Sequence, residues 1–322
     1  MTFAKFALKV CWRLRPWFPS EAWFLKVRFR LEMGHRLNLK HPKTFSEKIQ
    51  WLKLYNRRPE YTTMVDKYAV KNFVAQKIGA QYVIPTLGVW DTPEEIEWDK
   101  LPSRFVLKTT HGGGNYGVVV CKDKSKLDIL EVIEKLRRAL RQDIAYYSCE
   151  WPYKNVPRKI IAEEYLDPSQ KAEKSLEFKD ENKIYTSKGN NDVAQQDLLE
   201  YKLFCFDGKV QFLKINTGRS SELHINFYNL AFELLPFGEA WYPPNPEAEI
   251  KKPENFDLMI SLAERLSVGV PLLRVDLYNV NGKIYFGELT FFPASGLENY
   301  EPREWDRKIG DMLVLPKERI TN

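Results

Sequence analysis

Residues 272–290 read LLRVDLYNVNGKIYFGELT, two short apolar stretches separated by Asn281-Gly282. The Asn-Gly pair suits a type I′ turn, whose twist matches that of antiparallel strands, so this stretch predicts a β-hairpin. With the turn at 281–282, residue 276 is expected to face roughly residue 287. The hairpin therefore places Asp276 and Glu288 near one another on adjacent strands.

Two interpretations fit the charges on this hairpin. Carboxylates held close together repel unless a cation or a proton lies between them, and Mg²⁺ shared with nucleotide phosphates is one such cation. Arg274 lies two residues before Asp276 and projects from the same strand face, where it can stabilise developing negative charge or form a salt bridge. The spacing alone leaves a metal site and a structural salt bridge equally open.

A second stretch, RFVLKTTHGGGNYGVVV at 104–120, carries three consecutive glycines between two apolar strands. Gly112, Gly114 and Gly117 have the spacing G-x-G-x-x-G, but a dinucleotide fold requires a helix after the glycines, and a strand follows here. A glycine-rich hairpin can fold over phosphates with its N–H groups directed at them, and Lys108 ends the preceding strand. The pattern favours a phosphate loop over a plain turn, which needs fewer glycines.

The composition of the 322 residues excludes several classes of protein. Hydrophobic residues make up 44% and aromatic residues 14%, too much for a disordered chain and enough for two or three packed lobes. No uncharged apolar run reaches about 18 residues, so a membrane span is not expected. The four cysteines form no C-x-x-C pair, and charged residues interrupt the apolar stretches at the N-terminus. We therefore expect a cytoplasmic protein.

Positive charge is concentrated at one end of the chain. Residues 1–58 hold 14 Lys and Arg against 3 acids, a net charge of +11, whereas the rest carries −5. This segment reads as helical and places aromatic residues between its cations, and Thr44 to Glu47 have the form of a capping box. Such a segment suits an anionic membrane surface, or it packs on the rest of the protein with a solvated basic face.

The remaining pattern alternates helices with antiparallel hairpins and indicates an α+β fold. Helices are expected over 62–78, 127–141 and 256–266, strands over 83–90, 104–110, 118–121 and 159–166, and hairpins over 201–215 and 273–289. We divide the chain into a basic helical extension (1–60), the start of the core (61–103), a small lobe with the glycine loop (104–166) and a C-terminal lobe with the carboxylates (167–322).

The order of these motifs resembles that of the ATP-grasp ligases, most closely their TupA-like branch, which is linked to teichuronopeptide and other surface polysaccharides. The similar phrases are DKYAV at 66–70, FVLK at 105–108, IAEEYL at 161–166, YKLFCFDGK at 201–209, RVDLY at 274–278 and GELT at 287–290. The resemblance runs from about residue 45 to residue 296. It implies an ATP-grasp fold, in which two α/β lobes clasp ATP, preceded here by the basic helical segment.

The resemblance also implies roles for individual residues. Lys67 and Lys108 are similar to the lysines that hold ATP phosphates, Lys202 to the basic residue opposite the γ-phosphate, and Arg274 to the arginine that steadies the acyl phosphate. The implied flap is Gly112, Gly113 and Gly114; the implied adenine hinge is Glu163, Glu164, Tyr165 and Leu166, with Asp167 at the ribose; the implied Mg²⁺ ligands are Asp276, Glu288 and Thr290. Thr290 stands where the superfamily usually has asparagine, and a hydroxyl or a retained water can serve Mg²⁺ there.

Three further polar residues are candidates for substrate contact. Arg219 and His224 follow the hairpin 201–215, in a region that the resemblance makes an acceptor-binding loop and the sequence alone an ordinary surface loop. His111 adjoins the glycine loop, where it either touches phosphate or caps the strand.

The implied activity is ATP-dependent amide formation, in which a carboxylate is phosphorylated and an amine then displaces phosphate. We expect ATP and Mg²⁺ as cofactors and, as substrates, a uronic-acid-type carboxylate of surface polysaccharide synthesis with an amino acid or small amine. We expect peripheral association with the inner face of the cytoplasmic membrane and no nucleic-acid partner. Two alternatives are a sugar kinase using the same ATP site and a glycosyltransferase, against which the lack of a D-x-D motif counts.

Overall fold

The computed structural model describes residues 8, 10–114, 116–167, 198–217, 222–248 and 250–321. Within these ranges the chain forms a four-stranded and a five-stranded antiparallel sheet, each with a hydrophobic core of its own. Helices pack against both sheets, so the predicted α+β class is confirmed. None of the helices in the described ranges is long and apolar enough to cross a membrane.

After the helical residues at 10–13, the described part of the basic N-terminal segment contains two longer helices. Helix α1 (Glu21–Met33) begins at Ser20, whose hydroxyl accepts the N–H of Trp23, and ends at Gly34 in the left-handed conformation. Helix α2 (Phe45–Tyr55) begins with the predicted capping box, in which Thr44 and Glu47 each accept the other's N–H. Because Phe45 and its neighbours on α2 belong to the core of the five-stranded sheet, this part of the segment packs on the rest of the protein.

Two short helices, α3 (Glu60–Val65) and α4 (Ala69–Ile78), replace the single helix predicted over 62–78. Asp66 separates them, because its Oδ1 accepts the N–H groups of Tyr68 and Ala69 and so starts a new helix. The break places Lys67 outside both helices. Its backbone N–H donates to the carbonyl of Thr110, which lies beside the glycine loop.

The small sheet consists of β1 (Thr86–Trp90), β2 (Phe105–Thr109), β3 (Val119–Cys121) and β4 (Ile160–Glu164), in the order β1-β4-β2-β3. Helix α5 (Ile129–Leu140) buries Val132 and Leu136 against it, and α6 (Ile144–Ser148) follows. Strand β1 extends this sheet ahead of the boundary at residue 104 that the sequence predicts. The loop between β2 and β3 contains the three glycines.

The large sheet consists of β5 (Glu200–Phe206), β6 (Lys209–Thr217), β7 (His224–Tyr228), β9 (Leu272–Val280) and β10 (Lys283–Thr290), in the order β10-β9-β5-β6-β7. Two further strands, β8 (Gly238–Glu239) and β11 (Tyr300–Glu301), form a two-stranded ladder beside it. Helix α7 (Phe256–Ser267) packs on the large sheet and α8 (Glu304–Met312) on α2 and β11. Both predicted hairpins are confirmed, with positive φ at the two central residues of each turn, Asp207-Gly208 and Asn281-Gly282.

A β-bulge at Gly287 changes the predicted register of the 272–290 hairpin. Phe286 pairs with Leu277, but the next pair is Glu288 with Asp276, so Gly287 is the extra residue. A Cβ on Gly287 would lie 3.0 Å from the carbonyl oxygen of Asp276, and this close approach favours glycine. Residue 276 therefore faces residue 288 and not residue 287, and the two carboxylates stand directly opposite each other.

Candidate active site

Four charged residues form a row across one face of the large sheet. Glu288 on β10 pairs with Asp276 on β9, Asp276 with Lys202 on β5, and Lys202 with Lys214 on β6. Residues paired directly across antiparallel strands project from the same face. We refer to Glu288, Asp276, Lys202 and Lys214 as the charged row.

Asp276 is the centre of the charged row and is fully buried. Arg274 Nε donates to Oδ1 of Asp276 and Arg274 Nη2 donates to Oδ2, both at 2.7 Å. Lys202 Nζ also donates to Oδ2. Burial raises the pKa of Asp276, while Arg274 and Lys202 oppose that rise. The salt bridge that the sequence left open is therefore present.

Glu288 lies between Arg274 and Thr290. Its Oε1 accepts from Arg274 Nη2 at 2.9 Å and from the Thr290 hydroxyl at 3.2 Å. Burial tends to raise the pKa of Glu288, but Lys67 and Arg274 outweigh it and hold the pKa below its usual value. The charge of Lys67, which lies beside the glycine loop, therefore lowers the pKa of a carboxylate in the charged row.

The donors of this cluster are the oxygen ligands that Mg²⁺ prefers. Asp276 and Glu288 supply two carboxylates that both accept from Arg274. Thr290 supplies a hydroxyl that donates to Glu288. Both carboxylate oxygens of Asp276 already accept hydrogen bonds from Arg274 or Lys202. A bound magnesium ion would share these oxygens with the two side chains or displace the side chains. In the described ranges no group of three or more His, Cys, Asp and Glu could hold a metal ion. Two carboxylates and a hydroxyl are donors that suit Mg²⁺, and phosphate oxygens or water would complete its ligands.

A narrow cleft lined by three lysines lies between the small sheet and strand β10. Lys67, Lys71 and Lys108 line it together with Glu163, and β10 contributes Phe286 and Gly287. Glu163 forms ion pairs with two of the lysines. Lys71 Nζ lies 2.7 Å from its Oε1, and Lys108 Nζ lies 2.6 Å from its Oε2. Burial tends to raise the pKa of Glu163, but the two lysines outweigh it and lower the pKa.

The third lysine contacts the glycine loop. Lys67 Nζ donates to the carbonyl of Gly112, and burial lowers the pKa of Lys67. A Cβ on Gly112 would lie 2.4 Å from Thr109 Oγ1, and Gly114 has a φ of +57°. The loop at 112–114 therefore needs glycine at its start and at its tip, and it lies against a lysine of the cleft.

The predicted hinge begins at the end of β4. The Glu163 side chain points to the lysines, and the N–H of Glu164 donates to Pro85 O over 3.2 Å. Arg104 contacts the ring of Tyr165 and pairs with Asp167, with 2.5 Å between Nη1 and Oδ2. Leu166 lies between those two residues, and all of them border the small sheet.

Of the three predicted substrate residues, His224 lies apart from the charged row. His224 pairs with Thr217, and strand alternation puts it on the face opposite Lys214, where its Nδ1 lies 3.0 Å from Pro243 O. His111 is 2% exposed, and burial together with Arg158 lowers its pKa. Arg219 lies outside the described residues.

Lys71 is a cleft residue that the sequence analysis missed. It follows Lys67 by four residues, and its Nζ contacts both Glu163 and the carbonyl of Ile84. A second cation four residues after the first was the available signal. Glu200, which contacts Lys202 at 2.6 Å, was also missed, since it precedes the quoted motif by one residue.

Comparison with known proteins gives one family match. The model of the TupA-like ATP-grasp family matches residues 47–193 and 180–314. No curated protein matches this sequence.

Solved structures that align with the chain include N5-carboxyaminoimidazole synthetase from Staphylococcus aureus complexed with ADP, with a TM-score of 0.40, 13% identity and coverage of 71% of this chain and 44% of that one. D-alanine-D-alanine ligase from Helicobacter pylori aligns with a TM-score of 0.37 and 14% identity, over 78% of this chain and 63% of that one. The chain thus spans less than two thirds of the length of either protein.

Proposed function

The chain belongs to the TupA-like family of ATP-grasp proteins, and from that premise we propose that it is an ATP-dependent carboxylate–amine ligase. The observation that carries the proposal is that the three lysines of the cleft lie close to the carboxylates of the charged row. Lysines 67, 71 and 108 line a cleft together with Phe286 and Gly287 of β10, and the next residue of β10 is Glu288 of the charged row. An anionic nucleotide bound against this narrow cleft would have its phosphates next to the carboxylates that would share Mg²⁺.

ATP is the proposed nucleotide. Lys67 and Lys108 bind its phosphates, and the loop at 112–114 covers them with the N–H groups of Gly113 and Gly114, since the N–H of Gly112 donates to Thr109 O. The backbone of 163–166 borders the adenine, and Asp167 is placed for the ribose. Glu163 holds Lys71 and Lys108 in position, so the cationic wall of the cleft is preorganised.

Magnesium held by Asp276, Glu288 and Thr290 neutralises phosphate charge when it is bound. Arg274 already spans Asp276 and Glu288, and its guanidinium is therefore placed for the anionic acyl phosphate. Lys202 lies on the other side of Asp276 and faces the γ-phosphate. These residues position the reactants and stabilise charge, and none acts as a covalent nucleophile.

The reaction has two steps. The substrate carboxylate attacks the γ-phosphorus, so that a new O–P bond forms and the bond to ADP breaks. An amine then attacks the carbonyl carbon of the acyl phosphate, so that the C–N bond forms and phosphate leaves. ADP and phosphate are both released, which separates a ligase from a sugar kinase that releases ADP alone.

The proposed carboxylate is a uronic acid of surface polysaccharide synthesis, and the proposed amine is an amino acid or a small amine. Support comes from the family and from the basic segment at 1–58, which suits an anionic glycan or membrane. Trp17 and Trp23 are 83% and 55% exposed in this segment, and interfacial Trp with Lys and Arg is typical of peripheral membrane binding. We therefore place the enzyme at the inner face of the cytoplasmic membrane.

The test is product release from Mg-ATP with a panel of uronates and amines. Equal amounts of ADP and phosphate, dependent on both substrates, support the ligase. ADP without phosphate supports the kinase, and thermal stabilisation by a UDP-sugar but not by ATP supports the glycosyltransferase.

A further inference from the structure

The turn Pro293–Gly296, which follows β10, has a strained backbone. Ala294 and Ser295 have φ values of +46° and +57°, and Gly296 has a φ of +65°. Three consecutive residues are therefore in the left-handed region, which residues other than glycine rarely adopt. Gly296 is also confined in space, because a Cβ there would lie 2.5 Å from Ile49 Cγ2. Backbone of this kind persists only where neighbouring groups hold it in place.

Two fully buried side chains of α2 hold this turn. Lys53 Nζ donates to Ser295 O at 2.8 Å and to Ser295 Oγ at 2.6 Å. Gln50 lies about one helical turn earlier, and its Nε2 donates to Ser295 O and to Gly296 O, both at 2.9 Å. Lys53 Nζ also donates to Ser148 O, at the end of α6, at 2.9 Å. The three hydrogens of the ammonium group therefore all have protein acceptors.

The turn joins two strands that fix opposite ends of the charged row. Strand β10 precedes the turn and carries Glu288. Strand β11 follows it and pairs with β8, where Tyr300 lies opposite Glu239. Glu239 in turn forms an ion pair with Lys214, the residue at the other end of the charged row. The path of the chain through 293–296 therefore constrains where Glu288 and Glu239 stand relative to each other.

We propose that Lys53 is a positioning residue of the active site, which fixes the turn at 293–296 and, through that turn, the spacing of charges along the charged row. The inference rests on the proposed ligase function and deepens it. The hydrogen bonds of Lys53 lead to the turn and to α6 and not to the charged row, so its effect passes through the backbone to β10 and β11. Losing these bonds misplaces the carboxylates that would hold Mg²⁺ and leaves the lysines of the cleft in position.

The positive charge of Lys53 completes this arrangement. A neutral amine has two hydrogens and satisfies only two of the three acceptors. Burial lowers the pKa of Lys53 to about 8; Glu150, after α6, opposes this fall most, Arg28 on α1 adds to it, and Cys149 and Glu32 oppose it more weakly. Above about pH 8, the turn therefore loses one of its hydrogen bonds.

The first test uses the wild-type protein and follows turnover and stability together. Hydroxylamine is a suitable nucleophile, because it stays uncharged above neutral pH and traps an acyl phosphate as a hydroxamate. We expect hydroxamate formation to fall roughly 10-fold as the pH rises through the folded pKa of Lys53. The free energy of unfolding should not fall through this group, since a lysine with a lowered folded pKa favours folding as the pH rises. Turnover that stays level, or that falls only in step with stability, would overturn the proposal.

The second test replaces the ammonium group. Lys53→Met keeps the length of the side chain, and we expect it to lower turnover at saturating ATP by roughly 10-fold to 100-fold. ATP affinity should stay within about twofold of wild type, and the alkaline fall in turnover should disappear. Unchanged turnover, an equal loss of turnover and ATP affinity, or the same alkaline fall as in wild type would each contradict the role of Lys53.

Ser295→Ala serves if Lys53→Met does not fold. This variant removes one acceptor of Lys53 and leaves its charge and two of its hydrogen bonds. We expect a loss of turnover of roughly threefold to 10-fold with ATP affinity unchanged. Wild-type turnover in Ser295→Ala would argue against the role of Lys53.

The matched control is Lys48→Met on the same helix. Lys48 Nζ also donates to two carbonyls, those of Gly310 at 2.7 Å and Leu313 at 2.6 Å, but these lie in and just after α8. We expect this variant to show wild-type turnover and the wild-type alkaline fall. A loss as large as that of Lys53→Met would mean that any buried lysine of α2 has the same effect, and the proposal would fail.

A binding measurement separates the role of Lys53 from the ligase function. Mg²⁺ titrated calorimetrically into the ADP-loaded protein should bind Lys53→Met roughly 10-fold more weakly than wild type. Equal Mg²⁺ affinities would overturn the role of Lys53. A wild-type protein that forms no hydroxamate with any uronate, but shows this difference in Mg²⁺ affinity, would contradict the ligase function and support the role of Lys53 in the site.

Discussion

Asp276 and Glu288 stand directly opposite each other on β9 and β10, and this pairing depends on one extra residue at Gly287. Without the bulge, Glu288 would project from the other face of the sheet, away from Lys202. The bulge therefore brings both carboxylates into contact with Arg274, which bonds to each of them.

Replacing the bulge residue should disturb this pairing. In Gly287→Val the new side chain meets Asp276 O at 3.0 Å and the ring of Tyr278 at 3.2 Å, which we expect to cost about 1–3 kcal/mol of unfolding free energy. Turnover should fall more than ATP affinity, because the carboxylates move and the lysines do not. Denaturant unfolding and ATP titration measure the two effects, and unchanged stability with unchanged turnover would contradict the role of the bulge.

Removing one carboxylate charge should abolish turnover. Glu288→Gln is expected to lower the rate of ADP release by at least about 100-fold with little loss of stability, since the Glu288 side chain is 32% exposed. Asp276→Asn should have the same effect on the rate and should also lower the thermal midpoint, because Arg274 and Lys202 lose a fully buried partner. Normal turnover in both variants would rule out the metal assignment.

Lys108→Met tests the cationic wall of the cleft. The variant removes one of the two lysines on Glu163, and we expect ATP to bind roughly 10-fold to 100-fold more weakly. The matched control is Lys126→Met, whose side chain is 83% exposed in the same lobe and should leave ATP affinity at the wild-type value. Equal affinities of Lys108→Met and wild type for ATP would argue against a phosphate contact.

Stability should depend on pH through Glu163. Its folded pKa lies below the usual 4.5, so its contribution to stability is fully present above that pH and is lost as the pH falls through the folded value. Glu163→Gln should therefore flatten the acid side of a plot of unfolding free energy against pH. The measurement is urea unfolding at a series of pH values from neutral to acid, and parallel curves for the two proteins would contradict the assignment.

The sequence predicts the local features of this fold better than its long-range contacts. Both hairpins follow from their turn residues, and the capping box at Thr44 follows from spacing alone. The bulge does not, because it depends on the fit of Gly287 against the neighbouring strand. The predicted helix over 62–78 divides at Asp66, since a side chain that accepts two N–H groups competes with helix continuation, which periodicity does not report.

The candidate site also divides into residues that the sequence identifies and residues that only long-range contacts identify. The resemblance names Asp276, Glu288 and the two lysines, which lie in recognisable phrases. The role of Lys71 depends on Glu163, a partner that is distant in sequence.

The basic segment gives the last prediction, which concerns membrane binding. Trp17 and Trp23 are exposed, whereas Phe24 and Phe29 of the same segment are buried, so truncating the segment would remove core residues together with the surface. The double variant Trp17→Ala, Trp23→Ala avoids this problem. We expect it to bind vesicles of phosphatidylglycerol on the order of tenfold more weakly than wild type, because each indole contributes apolar area at the headgroup layer.

The control is Trp241→Ala, which removes a tryptophan that is 72% exposed on the C-terminal lobe and should leave vesicle binding unchanged. Binding of the wild type should also weaken as salt is raised, since the cations of residues 1–58 act through screened charge. If the wild-type protein does not bind anionic vesicles at low salt, residues 1–58 only pack on the rest of the protein through α2. The basic face of this segment is then exposed to solvent without a membrane role.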